Sequence, residues 1–211
     1  MSTRGMQSFR NSLKFHSSKF QFCVGGHPVP QAQTNGKWKG VAVLAAHPTR
    51  ALPHSWPCEV HESSRAMIAA TLVHNSWLVG GVLYGEPDGH LHPAHRVHNE
   101  VPLQHVAGHV CHLAKGFRYV AGDFNETMDS LPAFHILQSA GFKDLQTLAR
   151  ERFGHEIVNT CKMKTRKDFC YISPELQDLL VSVEVLQDVF PDHAVLRGCF
   201  KPLGEQPPVM R

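Results

Sequence analysis

The chain has 211 residues, of which 42% are apolar and 18% charged. That composition supports one domain with a substantial core and excludes a mainly disordered or fibrous protein. Lys plus Arg number 21 against 18 Asp plus Glu, and a formal net charge of +3 is too small to indicate a nucleic-acid binder by charge alone.

The six cysteines form no CxxC pair, and a chain with this much core has no need of a disulfide framework. The opening segment, MSTRGMQSFRNSLKFHSSKF, is polar and basic and lacks a secretory apolar run. No window approaches ~18 unbroken apolar residues. The expectation is a soluble, intracellular chain, nuclear or cytoplasmic, without membrane association and monomeric. Residues 1–19 are expected to be poorly ordered, 20–201 to form the domain and 202–211 to be a flexible tail.

Residues 19–24 (KFQFCV) alternate and are β-rich, which predicts a strand. A Gly/Pro-rich loop follows, and 40–46 (GVAVLAA) reads as a buried strand. Residues 65–73 and 77–84 are β runs split by His74-Asn75-Ser76, the pattern of a hairpin. A Gly/Pro/His loop leads to 97–113, whose apolar residues Val97, Val101, Val106, Val110 and Leu113 follow a helical period. Residues 117–121 (FRYVA) form a predicted strand that runs into Gly122-Asp123-Phe124-Asn125. An amphipathic helix is predicted at 130–140, closed by Gly141. Three strands complete the reading, at 169–173, 179–186 and 194–200. Strands and helices without strict β-α-β alternation argue for an α+β fold or a layered α/β sandwich.

Three short segments carry groups suited to chemistry. In Gly122–Asn125, Asp123 and Asn125 share a face at the end of a strand, so a carboxylate and an amide stand together. A carboxylate binds hard cations or deprotonates water, and an amide orients water or a phosphoryl oxygen. Asp and Asn are also common turn formers, and for this tetrapeptide alone a plain turn is the commoner explanation. Asp168 directly precedes a strand; alone it reads as a strand cap or a partner of Arg166. Asp192-His193 sits between two apolar runs and places a metal ligand beside an acid/base group.

Taken together and in this order, the three segments resemble the endonuclease/exonuclease/phosphatase superfamily, the DNase I-like phosphodiesterases. Gly122–Asn125 matches that family's Gly-Asp-Phe-Asn motif. Lys167-Asp168-Phe169-Cys170-Tyr171-Ile172 is similar to its Asp-bearing strand, and Pro191-Asp192-His193 to its Ser-Asp-His. Val82-Leu83-Tyr84-Gly85-Glu86-Pro87 looks like its strand ending in Tyr and Pro, and 39–44 like its Gly-Gly-Val-Ala-Ile-Leu strand. The resemblance spans roughly residues 20 to 200. It implies a two-sheet α/β sandwich and a Mg²⁺-dependent (or Mn²⁺-dependent) phosphodiesterase, with nucleic acid as the favoured substrate and a retroelement endonuclease among the related types. It assigns Asp123 to the attacking water, Asn125 to that water or a phosphate oxygen, His193 to the scissile phosphate with Asp168 orienting it, Asp192 to the metal and Tyr84 to the leaving-group side.

The resemblance departs at the start. The family has an early strand and then a Gln-Glu pair whose Glu binds metal, both before the segment similar to 19–24; the residues before it here contain no acidic side chain. The expectation is a fold without its first strand and without that Glu, as in an incomplete gene model, a fragment or a catalytically inactive remnant kept as a binding module.

Lys162, Lys164, Arg166 and Lys167 are candidates for phosphate contacts, with Arg65 and Arg118 as weaker ones. A solvated loop is an equally good account of 162–167. The 16 histidines are the compositional anomaly. His90, His92, His95, His98, His105, His109 and His112 crowd one stretch. A zinc site from Cys58, His61, His109 and His112 requires a convergence that spacing does not supply, and a solvated surface is the simpler account.

Overall fold

The structure, a computed structural model, describes residues 21–24, 41–52, 65–87, 92–113, 116–128, 130–187 and 192–202. Its centre is a six-stranded sheet. The strands are β3 (Thr49–Ala51), β4 (Ala66–Val73), β5 (Ser76–Tyr84), β6 (Phe117–Asp123), β8 (Asp168–Ile172) and β7 (Lys143–Asp144), in that spatial order. All neighbours run antiparallel except β5 and β6, which are parallel. A parallel pair needs a crossover, and helix α1 (Pro93–His112) provides it. The β4–β5 hairpin turns at His74 and Asn75, both at positive φ, which is the turn hand that fits strand twist.

The alternation of side chains divides the core in two. Ile68, Leu83, Val120, Phe169 and Tyr171 face α1 and α2 (Ala133–Ser139). The opposite face carries Phe117, Ile172 and half-buried Tyr119 against α3 (Leu145–Phe153), α4 (Pro174–Gln177) and β9 (Leu180–Leu186). Met67 and Ala69 meet Val43 of β2 (Ala42–Ala45) on that face. The second layer of the sandwich is therefore built, among the described residues, from two antiparallel pairs. One joins β1 (Gln21–Val24) to β2, and the other joins β9 to β10 (Val195–Phe200).

Most elements lie where the pattern predicts them. The helix predicted at 97–113 begins a turn earlier because Pro93 suits a first helical turn. Strands β3 and β7 and helices α3 and α4 are additional. Helix α3 has clear end signals: Asp144 accepts a hydrogen bond from the Thr147 amide at 3.0 Å, and Gly154 closes it at φ 72°. Trp77 of β5 is 41% exposed, with Arg50 over its ring. The Gly/Pro loop at 25–36, Cys58, His61, most of the 202–211 tail and the question of an earlier strand fall outside the described residues.

An aromatic cluster braces the sheet beneath the candidate chemistry. Phe134 of α2 is fully buried and lies 5.5 Å from Phe124, 6.0 Å from Phe169 and 5.7 Å from Tyr171, between ring centroids. Phe134→Ala removes the common partner of three rings, and we expect a loss of about 3–5 kcal/mol in unfolding free energy. Urea denaturation measures it; a loss below about 1 kcal/mol would show that the cluster does not brace the sheet.

Candidate active site

Strand register places the central residues. Tyr84 pairs with Asp123 across β5–β6, and Asp123 pairs with Asp168 across β6–β8. Three candidate side chains thus stand in one row at one end of the sheet. Asp123 and Asp168 lie an even number of residues from Tyr119 and Cys170, so they share the face turned to the second layer. Gly122 lies opposite Leu83, and a Cβ there would overlap the Leu83 carbonyl oxygen; β5 and β6 approach closely just before the site.

The chain then turns sharply. Asn125 adopts φ 51°, a left-handed conformation that Asn tolerates better than most residues. The turn folds Asn125 back on Asp123. Its amide N–H donates to Asp123 Oδ1 at 3.0 Å and its Nδ2 to Oδ2 at 3.3 Å. Nδ2 also donates to the Gly85 carbonyl at 3.0 Å. The ladder continues past the strands, with the Gly85 amide on the Asp123 carbonyl at 2.7 Å and the Phe124 amide on the Lys167 carbonyl at 2.9 Å. A Cβ at Gly85 would overlap the Phe124 carbonyl oxygen, so the turn after β5 needs glycine there.

His193 arrives from the loop between β9 and β10. Its Nδ1 lies 3.0 Å and 3.2 Å from the two Asp168 carboxylate oxygens, and its Nε2 lies 3.8 Å from Asp123 Oδ2. Asp123, Asp168 and His193 bring ligand atoms within 4.8 Å of one another. Asp123 and Asp168 side chains are 15% and 18% exposed and His193 37%, so the imidazole is the open side of the group.

Burial first, and the charge of Asp168 second, push the Asp123 carboxyl up to about 6. The Asn125 amide, His193 and Lys167 act against that rise. Burial works to lower the His193 pKa, but the hydrogen bond and charge of Asp168, with Asp123 and Asp192, outweigh it and raise the value. The Tyr84 hydroxyl is pushed up by burial and then by the charge of Asp123, with Arg65 opposing.

Asp192 lies outside the convergent group. Its exposed carboxylate stands 3.9 Å from Lys162 Nζ on the same rim. The basic run divides. Lys162 and Lys164 are exposed beside the site, Arg166 pairs with Asp144 and stacks on Phe169, and buried Lys167 donates from Nζ to the Asn125 carbonyl at 3.2 Å. Arg118 is buried and donates to the Val110, Cys111 and Leu113 carbonyls at 3.1–3.3 Å, capping α1, so it is not free for phosphate. Arg65 is buried and ion-paired with Glu86.

Several supporting residues escaped the sequence reading. Thr160 Oγ1 accepts from the Lys167 and Asp168 amides at 3.2 and 3.1 Å, while its carbonyl accepts from the Ala194 amide at 2.7 Å. It ties the Asp168 strand to the His193 loop. Buried Asn99 of α1 donates to Glu126 at 3.0 Å and also pairs with the Glu86 backbone, and Ser130 Oγ donates to Glu126 at 3.2 Å. That network holds the turns after β5 and β6 to the helix layer. A Thr in a polar loop and an Asn inside a helix carry no local signal of this.

A scan against protein-family models finds no match, and a search of curated proteins finds no relative. Solved structures do match. An AP endonuclease from Archaeoglobus fulgidus superposes with TM-score 0.62 at 16% identity, covering 88% of this chain and 81% of that one. The 3′ phosphatase NExo from Neisseria, bound to a product DNA hairpin, gives TM-score 0.59 at 15% identity, covering 94% and 95%. The endonuclease domain of TRAS1, a telomere-specific non-LTR retrotransposon, gives 0.55 at 14% identity, covering 85% and 77%. The chain has the DNase I-like fold of endonuclease/exonuclease/phosphatase proteins. The DNase I-like sandwich expected from the motifs is thus the observed architecture. No helix among the described residues is long and apolar enough to cross a membrane.

The raised Asp123 carboxyl has a stability consequence. The folded chain holds that proton more tightly than the unfolded chain, so stability is highest below about pH 4 for this group and falls as pH rises through about 6. Asp123→Asn removes the titration. In metal-free buffer, the variant should gain up to roughly 3 kcal/mol relative to wild type between about pH 4 and 7, measured by denaturation at each pH. A difference that stays constant over that range would show that Asp123 ionises normally.

Proposed function

We propose that the chain is a metal-dependent phosphodiester hydrolase that cleaves nucleic acid in an endonuclease-like manner. The observation that supports this best is the row of Asp123 and Asp168 with His193 set across it, at the second-layer edge of a DNase I-like sheet.

The donor set fits a hard divalent cation such as Mg²⁺ or Mn²⁺. Two carboxylates face each other in register, the charge of Asp168 disfavours ionisation of Asp123, and a cation relieves that repulsion. Asp123 and Asp168 would offer it oxygen ligands, with Asp192 on the rim outside that group. When bound, the cation supplies charge neutralisation at the phosphoryl oxygens.

The chain's own groups do the rest. Ionised Asp123 accepts the proton of the attacking water, and Asn125 fixes the carboxylate through two hydrogen bonds. Asp168 takes the Nδ1–H of His193, so Nε2 is the atom left to face a phosphoryl oxygen, and the hydrogen bond and charge of Asp168 favour the protonated ring for that contact. Tyr84, next to Asp123 in the row, stands by the leaving oxygen. Of the basic run, exposed Lys164, and Lys162 beside Asp192, can meet flanking phosphates, whereas Arg166 and Lys167 act inward on Asp144 and Asn125.

The test is cleavage of labelled single- and double-stranded DNA with Mg²⁺ or Mn²⁺. EDTA should abolish it, and Asp123→Ala and His193→Ala should each lower kcat by about 10²–10⁴. A folded chain that cleaves nothing would be an inactive remnant, and equal activity in Asp123→Ala would remove that residue from the mechanism.

A further inference from the structure

We propose that Cys161 and His193 form a binding site for a thiophilic divalent cation, Zn²⁺ in chemical class, that blocks the hydrolytic site. Cys161 Sγ lies 3.9 Å from His193 Nε2. A Zn²⁺ ion at ordinary Zn–S and Zn–N distances and a tetrahedral angle separates its two ligands by about 3.6 Å, so a shift of a few tenths of an ångström closes the pair on the metal.

The pair is built into the backbone. Cys161 and His193 are directly opposed partners of an antiparallel bridge. Hydrogen bonds hold the bridge on both sides, from the Lys162 amide to the Asp192 carbonyl at 2.8 Å and from the Ala194 amide to the Thr160 carbonyl at 2.7 Å. Cross-strand partners of this kind keep their side chains adjacent. Asp168 holds the other ring nitrogen at 3.0 Å. A carboxylate on Nδ1 orients a metal-binding imidazole and increases its basicity, which presents the Nε2 lone pair outward. Asp123 Oδ2 lies 3.8 Å from the same Nε2 but does not converge with Cys161, so water completes the set around the pair. Both Cys161 and His193 are partly exposed, so an ion can reach them.

This site differs in kind from the carboxylate site. Magnesium takes hard oxygen donors, whereas a thiolate with an imidazole selects zinc or cadmium. The two uses of Nε2 exclude each other. An ion on Nε2 removes the contact proposed for the substrate phosphate, so soft-metal binding inhibits hydrolysis even with Mg²⁺ in excess. The inhibition rests on the hydrolytic reading, but the binding does not.

Cadmium is the direct probe, because a thiolate–Cd²⁺ bond absorbs in the near ultraviolet. The full chain, folded by circular dichroism, is titrated with Cd²⁺ in parallel with Cys161→Ser and His193→Gln. The expected result is one saturable equivalent of thiolate absorbance that is lost in Cys161→Ser and bound at least tenfold more weakly in His193→Gln. Superimposable wild-type and Cys161→Ser titrations would place any soft-metal binding elsewhere and overturn the proposal. Undiminished affinity in His193→Gln would equally remove the pair. A second arm measures DNA cleavage in Mg²⁺ with added Zn²⁺, each protein against its own zinc-free rate. Wild type should be inhibited and Cys161→Ser should resist by at least tenfold in zinc concentration; equal sensitivity would sink the regulatory part. A chain with no hydrolysis would count against the hydrolytic reading, and the cadmium titration would still decide the site.

Discussion

The register of β5, β6 and β8 is the constraint on which the rest depends. It sets Tyr84, Asp123 and Asp168 side by side at the one edge where His193 can reach them. A slip of one residue in β6 would carry Asp123 to the helix face and Val120 out of the core. Two features oppose that slip. The aromatic side chains of Phe124, Phe169 and Tyr171 lock to Phe134 on the face opposite the site, and Gly122 permits the close approach of Leu83. Core packing on one face thus fixes the polar geometry on the other.

That geometry carries an electrostatic cost. Asp123 and Asp168 are neighbours in a partly dry edge, where burial and then the charge of Asp168 disfavour the ionisation of Asp123. The fold offsets this with donors rather than by separation. The Asn125 amide and side chain reach Asp123, His193 reaches Asp168, and Lys167 adds a buried cation nearby. Each donor sits on a segment that is itself tied down, Asn125 by Gly85 and Lys167, and His193 by Thr160 through Ala194. The same tying brings Cys161 against the outward nitrogen of His193.

Much of this was legible in the residues. Apolar runs and turn signals located the hairpin, the crossover helix and the last strands, because burial there follows a simple period. The Gly-Asp-Phe-Asn, Asp168 and Asp192-His193 segments pointed to one site because each falls at a strand edge. Helix α3 is hard to read from the chain because LQTLARERF has a weak apolar face; its signals are Asp144 and Gly154 at its ends. The fate of the basic residues was not legible. Arg118 and Arg166 look like free cations in the chain, yet they are engaged by the α1 carbonyls and by Asp144, partners 5–8 and 22 residues away. Thr160, Asn99 and Glu126 act only through contacts that the tertiary fold creates.

The central claim is that Asp168 holds His193 so that Nε2 faces Asp123 and a phosphate. The most direct measurement is ¹⁵N NMR of the His193 ring across pH, in wild type and in Asp168→Asn. The account predicts that Nδ1 keeps its proton in the neutral ring while Nε2 titrates, with a raised pKa that falls back in Asp168→Asn. A ring protonated on Nε2 when neutral, or a pKa that Asp168→Asn leaves unchanged, would contradict it.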